Sequence, residues 1–574
     1  MNKPLSVDIF RPKESGFAID VEAKAVICSR PIVRGKALKL AFAPSAKRII
    51  PYPPVGISLL ASSLRLSGHD AEIFDLEIQL AGLRRKGEDV LLYDGALSTT
   101  DVLSPDLAEP VRAYGEQLWQ IIGGSSGAEV LGISVMGFEQ SASALLLARL
   151  ALAHGMRVIF GGQFWTERSA SEVIHALAPF GSVTITVGDG WESMTAFVER
   201  AAPETISNSY TTSTTLGGAI IAGPRKVAKS LPPQPVYDWV PWEQYENFGI
   251  STYKNPTPTR RAHLYVWDKQ CNFRCAFCRV ATGSRAVLTP PKVAIDSFAD
   301  LAEAEVDQLN FMTNELNPSR KYLLRFLDEL EARGGGGATN WFTYIRADRL
   351  EAEDFARIRQ NGGRLARYGV ESGSQRLLDL MRKDYDVPTM STTLRHAAAE
   401  DIWNHVNFLV GFPGEIADDI ERTIDFLAAN VDTIHSVRIN PFYLPPDTPI
   451  ARAPEEFGIQ LTTFDSGWWQ YQNSDGSLPD ADLVVERVER LSRACSDLGI
   501  GFAGTDPFFL LDTISRHDAV PDAVKFLKDA YPLFWVPAPT DTYKALIGGY
   551  EVKSEWKEIA LKRQRNYSLS ICTD

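Results

Sequence analysis

Along the first 200 residues, short apolar runs alternate with stretches of helical length. Residues 37–43 (Ala-Leu-Lys-Leu-Ala-Phe-Ala) read as a short buried strand. Pro53 and Pro54 open a helix that runs to about Leu66, with Gly68 just past its end; proline suits a helix start and glycine its exit. Further strands are read at 71–75, 130–134, 157–162 and 183–190, with a helix passing through 145–149. This alternation predicts a parallel, doubly wound sheet, and such sheets bind ligands at the carboxyl ends of their strands. Ser134, Gly161, Gly162 and Gly188 lie at those ends.

Residues 201–258 read as a connector. A Ser/Thr/Asn run and several prolines, Pro232, Pro233 and Pro235 among them, leave no regular pattern from 205 onward. A second alternating set follows, with strands expected at 262–267, 308–312, 341–345, 364–370, 406–410 and 437–440. Between them, Leu323, Phe326, Leu327 and Leu330 show the spacing of one helix face, and Gly334 to Gly337 end that helix. Six strands with intervening helices predict a partial (β/α)6 barrel, whose chemistry belongs at the carboxyl ends of its strands. The last stretch, 451–574, is expected to form a mainly helical domain. Its aromatics (Trp468, Trp469, Tyr471, Phe508, Phe509, Phe534, Trp535) read first as core and second as the lining of a pocket mouth. The expected units are therefore 1–200, 201–258, 259–450 and 451–574.

Bulk composition narrows the function classes. The 574 residues are 45% hydrophobic and 23% charged, as in ordinary globular proteins. The formal net charge of -13 argues against a large nucleic-acid or anionic-membrane surface. No apolar run reaches membrane-spanning length, and Met1 to Asp20 lack the pattern of a secretory signal. Six cysteines, three of them clustered, do not make a disulfide scaffold; a reducing, cytoplasmic setting is expected.

The cluster is the sharpest chemical signal. Cys271, Cys275 and Cys278 stand in Trp267-Asp-Lys-Gln-Cys-Asn-Phe-Arg-Cys-Ala-Phe-Cys-Arg279, directly after the first strand of the second set. Three thiolates on one loop can hold three irons of a 4Fe-4S cluster and leave the fourth open. A zinc site usually brings a second pair of ligands close by, and none follows here. A lone zinc knuckle or a chance cluster is the competing reading.

With these residues in view, the chain resembles the radical S-adenosylmethionine (SAM) enzymes, in particular the cobalamin-binding branch with an N-terminal Rossmann-like corrinoid domain. The resemblance covers roughly residues 35–450. It rests on the cysteine motif with Phe277, on Tyr344-Ile-Arg-Ala-Asp348, on Tyr368-Gly-Val-Glu-Ser-Gly-Ser374 and on Asn407-Phe-Leu-Val-Gly-Phe-Pro-Gly-Glu415. In the first half it rests on the run from Pro53 to Gly68, Phe74-Asp75, Gly132-Ile-Ser134 and Phe160-Gly-Gly162. It implies a 4Fe-4S cluster, SAM and cobalamin as cofactors. Pro54, Ser134, Gly161, Gly162 and Gly188 would face the corrinoid; Arg346, Glu371, Ser372, Asn407 and Gly411 would face SAM; Glu315 and Tyr344 would lie at the reacting centre.

The chemistry of these groups is consistent with such roles. The methionyl ammonium of SAM needs acceptors, which Glu371 or Glu315 can supply; its carboxylate needs donors, which Arg346 and Ser372 can supply. Gly411 and Gly414 would permit close backbone approach. The plain alternatives are an Arg346–Asp348 salt bridge and Glu371 as a helix cap. Glu315 can bind the ammonium or the fourth iron itself, the latter leaving a polar methyl transfer. The Asp-x-His-x-x-Gly loop of many cobalamin proteins is absent, and His69 is in the wrong register to replace it.

The expected activity is methyl transfer from SAM, via methylcobalamin, to a carbon of a natural-product or similar small-molecule intermediate. Radical ring closure, oxygen insertion or rearrangement without net methylation is the alternative. A non-catalytic corrinoid-binding module and a methylthiolating enzyme are further readings; the acidic charge disfavours an RNA substrate. A flavodoxin or ferredoxin is the expected electron donor.

Overall fold

The structure is a computed structural model. It describes residues 38–44, 52–85, 97–165, 167–212, 220–224, 231, 233–246, 258–266, 268–269, 271–281, 287–446, 448–465, 468–502 and 507–537.

Five parallel strands form the body of the first sheet: β1 (Leu38–Phe42), β2 (Ala71–Asp75), β3 (Val130–Ser134), β4 (Arg157–Gly161) and β5 (Val183–Thr186). Their order is β2-β1-β3-β4-β5. Every residue of β1 and β3 is buried, as expected of central strands covered by helices on both faces. One face packs on helices Glu109–Ile121 and Phe138–Ala153 through Leu118, Leu131, Leu145 and Phe160. The other packs Leu38, Leu40 and Ile159 on Leu64 and Phe197.

The stretch read as a connector is not free of regular structure. β6 (Ser209–Thr212) and β7 (Ile220–Ala222) continue the first sheet antiparallel beyond β5, and a short helix spans Trp242–Glu246. The composition of β6, Ser-Tyr-Thr-Thr, hid it: its polar hydroxyls pass for a loop, yet threonine is β-branched and fits a strand. The Thr184 and Thr211 hydroxyls pair across β5 and β6 at 2.9 Å.

In the second half, β8 (Arg261–Tyr265) precedes a small antiparallel pair, β9 (Asp268–Lys269) and β10 (Val287–Leu288). Then come β11 (Gln308–Met312), β12 (Asn340–Tyr344), β13 (Gly363–Glu371), β14 (Trp403–Val410) and β15 (Ser436–Pro441). β16 (Ile459–Asp465) and β17 (Trp468–Asn473) form a hairpin, and β18 (Gly501–Phe502) returns to pair with β15. The parallel order is β18-β15-β14-β13-β12-β11-β8. The partial barrel therefore has the six strands expected plus a seventh donated from beyond residue 451. A two-residue strand is too short to show periodicity. The mostly helical tail likewise contains a hairpin beside helices Ala481–Asp497, Pro507–Ser515 and Val520–Ala530.

Alternation along these strands sorts two environments. Ala262, Leu309, Trp341, Tyr368, Val406 and Val437 face the surrounding helices in one large core. The opposite face points into the barrel. At its amino end Phe342, Leu365 and Trp403 meet Phe508, Leu511 and Phe534. Buried Asp512, on helix Pro507–Ser515, accepts from Gln308 at 2.9 Å and lies 3.9 Å from Arg261. This helix plugs the amino end. The tail aromatics Phe508 and Phe534 thus pack as core, as does Tyr471 against Phe442.

Asp75 ends β2. Its Oδ1 accepts from the backbone N–H of Glu77 at 3.0 Å, and its Oδ2 accepts from the Tyr245 hydroxyl at 2.7 Å. Burial pushes this carboxyl up to about 6 from 3.8, against the pull of those hydrogen bonds. The folded chain binds the proton more tightly than the unfolded chain, so the linked stabilisation is complete below 3.8 and is lost as pH rises through 6. Asp75→Asn abolishes the titration. Relative to the wild type, this variant should gain about 2 kcal/mol between about pH 4.5 and about pH 7.5 in urea unfolding; a difference independent of pH would contradict the assignment.

Candidate active site

Cys271, Cys275 and Cys278 lie on the loop between β9 and β10, directly after the carboxyl end of β8. Backbone bonds shape it: Cys271 N–H donates to Val280 O at 2.8 Å, and Cys278 N–H to Cys275 O at 3.1 Å. Ala276 ties the loop to the rest of the barrel, donating to Met381 O at 2.9 Å and accepting from Ile450 N–H at 3.0 Å. All three thiols are free. Burial pushes all three up, and for Cys271 the Glu315 carboxylate adds to the effect. Among the described residues no three His, Cys, Asp or Glu side chains converge as ligands of one metal ion would.

The loop roofs a cavity of about 520 Å³ inside the carboxyl end of the barrel. Glu315, Tyr344, Arg346, Glu371 and Asn407 line it together with the three cysteines. The sequence placed these eight residues at one site, and the structure brings them together. Glu315 sets its carboxylate oxygens 3.4 and 3.8 Å from Cys271 Sγ. Arg346 grips Asp348 with two bonds of 3.1 and 3.0 Å, the alternative noted for it, while its guanidinium lies 3.5 Å from the Phe273 ring centre. Tyr344 lies under Arg367, 4.4 Å from ring centre to guanidinium carbon.

Glu371 occupies unusual backbone. The β13–β14 register shifts between Gly369 and Glu371, and Glu371 has φ +68°, a left-handed conformation costly for any residue with a Cβ. Lys383 Nζ lies 3.4 Å from its carboxylate and donates to Gly369 O at 2.7 Å. Burial raises the Glu371 carboxyl, and Lys383 opposes it. No helix cap involves Glu371; Ser374 caps the following helix.

Two expected SAM contacts do not line the cavity. Ser372 is buried behind it, 3.2 Å from the Thr423 hydroxyl and accepting from Ser374 N–H at 3.0 Å. Gly411, at φ +88°, faces Val484, and its N–H donates to Glu415 at 3.1 Å. In the first sheet, Pro54 sits at the start of helix Val55–Leu66. Gly162 has φ +106°, and a Cβ there would lie 2.1 Å from Val135 O, so it is a packing glycine. Cβ atoms at Gly161 or Gly188 would enter open space. Ser134 O accepts from Ala43 N–H at 3.1 Å.

The two carboxyl edges are neighbours. Asp189, beside Gly188, is close enough to Tyr265 at the end of β8 to help burial push that phenol up to about 12. Tyr52, in the segment after β1, sets its ring 4.3 Å from His263 of β8.

The sequence reading missed Lys383, Arg438 and Asn440. For the last two a signal exists: Ser436-x-Arg438-x-Asn440 puts polar groups at every second position of β15, with Val437 and Ile439 between them. That pattern marks a face lining a cavity. Lys383 sits in a turn where no periodicity operates.

Glu415 and Arg487 tie the loop after β14 to helix Ala481–Asp497 with a 3.1 Å ion pair. Burial lifts Glu415 to about 7 despite Arg487. Arg487→Leu should cost about 2–3 kcal/mol at about pH 8. The loss should shrink at about pH 6, where Glu415 takes a proton. Chemical unfolding at both pH values checks this, and an equal loss at both would show that the charge pair is not the cause.

Comparison with known proteins follows from this geometry. Residues 268–427 match the Radical SAM superfamily model. Among curated proteins, the tRNA-2-methylthio-N(6)-dimethylallyladenosine synthase of Pasteurella multocida (strain Pm70) is 27% identical over 203 residues, 32% of this chain and 41% of the relative. That of Haemophilus influenzae (strain PittGG) is 26% identical over the same length. The chain thus spans less than half the length of these relatives. Among solved structures, the radical SAM methyltransferase TsrM from Kitasatospora setae, with cobalamin and a [4Fe-4S] cluster bound, superposes with TM-score 0.56 at 14% identity. It covers 86% of this chain and 98% of TsrM. The cobalamin-dependent SAM radical enzyme OxsB, with aqua-cobalamin and SAM bound, gives TM-score 0.56 at 13% identity over 93% of this chain and 75% of OxsB. These likenesses are of fold.

Proposed function

On the premise that residues 268–427 are a radical SAM domain, we propose that the protein is a cobalamin-dependent radical SAM methyltransferase. It moves a methyl group from SAM, by way of cobalamin, to a carbon of a small-molecule intermediate. The observation that carries this reading is that three free thiols, Cys271 and Cys275 buried and Cys278 half-buried, line the barrel cavity beside the glycine-bearing carboxyl edge of a second, Rossmann-like sheet.

The residues present fit the groups this requires. Cys271, Cys275 and Cys278 would hold three irons of a 4Fe-4S cluster. Glu315 and Glu371 are the carboxylates lining the cavity, and either can accept from the methionyl ammonium of SAM. Arg346, fixed by Asp348 and stacked on Phe273, offers positive charge for the methionyl carboxylate. Tyr344 and Asn407 line the same chamber, and Phe273, Phe277 and Phe442 reduce its water content. At the first sheet, a Cβ at Gly161 or Gly188 would meet nothing within 4 Å, so a corrinoid could approach the backbone there. Among the described residues no histidine stands at that edge, and His69 lies at the opposite end, just before β2. Bound together, the cluster and SAM supply one-electron cleavage and the corrinoid carries methyl; the protein supplies distance, orientation and exclusion of water. A flavodoxin- or ferredoxin-type donor would provide the electrons.

Anaerobic reconstitution with iron, sulfide and hydroxocobalamin tests the reading. After desalting, about four irons and about one cobalamin per chain are expected, with absorption near ~400 nm. Replacing all three cysteines with Ala should remove that absorption and all turnover of methyl-labelled SAM; turnover that survives refutes the proposal. Four irons without cobalamin would refute the methyl-transfer part. A product of unchanged mass would point to rearrangement instead.

A further inference from the structure

The inner wall of the barrel on the β13–β15 side carries more positive charge than the neighbouring carboxylates neutralise. Arg438 lines the cavity from β15, where Asn407 of β14 stands opposite it in register. Among the described residues it has no carboxylate within ion-pair distance and no hydrogen-bond partner. The other cations at the cavity are engaged: Arg346 by Asp348, and Lys383 by Glu371. Arg367 points inward from β13, two positions before Gly369, with its guanidinium over Tyr344. Both arginines lie close enough to buried His405, between them on β14, to hold it neutral together with burial. Asn440 extends the wall beyond Arg438.

A guanidinium left without a counter-charge in a partly desolvated chamber is costly, and an anion beside it relieves that cost. Arginine also presents a planar fork matched to an oxyanion. Of the acidic groups, Glu315 lies against Cys271, and Glu371, at the end of β13, is held by Lys383. Neither is paired with Arg438, although the chain as a whole carries -13.

We propose that Arg438 binds an oxyanion of the small-molecule substrate, a carboxylate or a phosphate, on the inner wall of β13–β15. This rests on the reading of the cavity as the chamber of a SAM-dependent enzyme. A SAM carboxylate is the one other source of the same chemistry, and the test separates the two.

Cluster-loaded protein is titrated calorimetrically with inorganic phosphate and, separately, with SAM, for the wild type, Arg438→Gln and Arg438→Lys. Phosphate should bind the wild type with SAM already present, and should bind Arg438→Gln about tenfold more weakly, as for the loss of one charge-assisted hydrogen bond. Arg438→Lys should recover part of the loss, and SAM affinity should change less than about twofold. Phosphate that fails to bind, or binds all three proteins alike, overturns the inference. So does SAM affinity falling about tenfold in Arg438→Gln with phosphate competing against SAM, since the wall would then hold the SAM carboxylate. If Arg438→Gln fails to fold, Arg438→Met is read in its place with the same criteria. Phosphate binding needs no turnover, so a protein that binds phosphate as expected but neither cleaves SAM nor transfers methyl fails only the functional reading.

Discussion

Everything at the site depends on the sidedness of one parallel sheet. Its outward positions are apolar and packed under helices, which fixes register, because a slip of one residue would exchange the two faces. Its inward positions carry Arg367, His405, Asn407, Arg438 and Asn440 toward the carboxyl end, and Phe342, Leu365 and Trp403 toward the amino end. The apolar end is closed by the helix bearing Phe508 and by the buried Asp512–Gln308–Arg261 contacts. Among the described residues, closure at one end leaves the inward polar groups facing the cavity at the other. The cysteine loop follows β8 at that end.

The first sheet meets the second along β8. This strand is an edge of the second sheet, and an edge leaves backbone groups unpaired. The Tyr237 hydroxyl donates to His263 O there, and the Tyr52 ring packs against the His263 side chain. Burial holds His263 near 3, so it is neutral, and its ring nitrogen pairs with Asn310 at 2.9 Å. An incomplete barrel thus turns its open side into the surface on which another sheet is seated, and the two carboxyl edges are brought beside one another.

Much of this was legible in the chain. Buried strands such as 130–134 and 308–312 announce themselves by continuous apolar character, and the cysteine spacing by itself marks the loop. Tyr344, Arg346 and Glu371 come from the segments that carry the family resemblance, and Glu315 from the run that follows the second strand; all four line the cavity. Ser372 and Gly411 come from the same kind of segment, but the turns after β13 and β14 direct them toward Thr423 and Val484. β6 was hidden by polar composition, β18 by shortness and Lys383 by its place in a turn. Each depends on tertiary partners that no local pattern encodes.

The left-handed backbone at Glu371 has a consequence for how the chamber adapts. Its Cα–Cβ direction is set by the main chain at the strand bulge, and Lys383 holds the carboxylate end. The side chain is anchored at both ends and has little freedom to follow a ligand. Arg438, two strands away on β15, has no such anchor among the described residues. The chamber therefore joins a stiff jaw to a compliant one. Ligands of different length would be accommodated by the compliant side, while the end next to the thiols keeps a constant geometry.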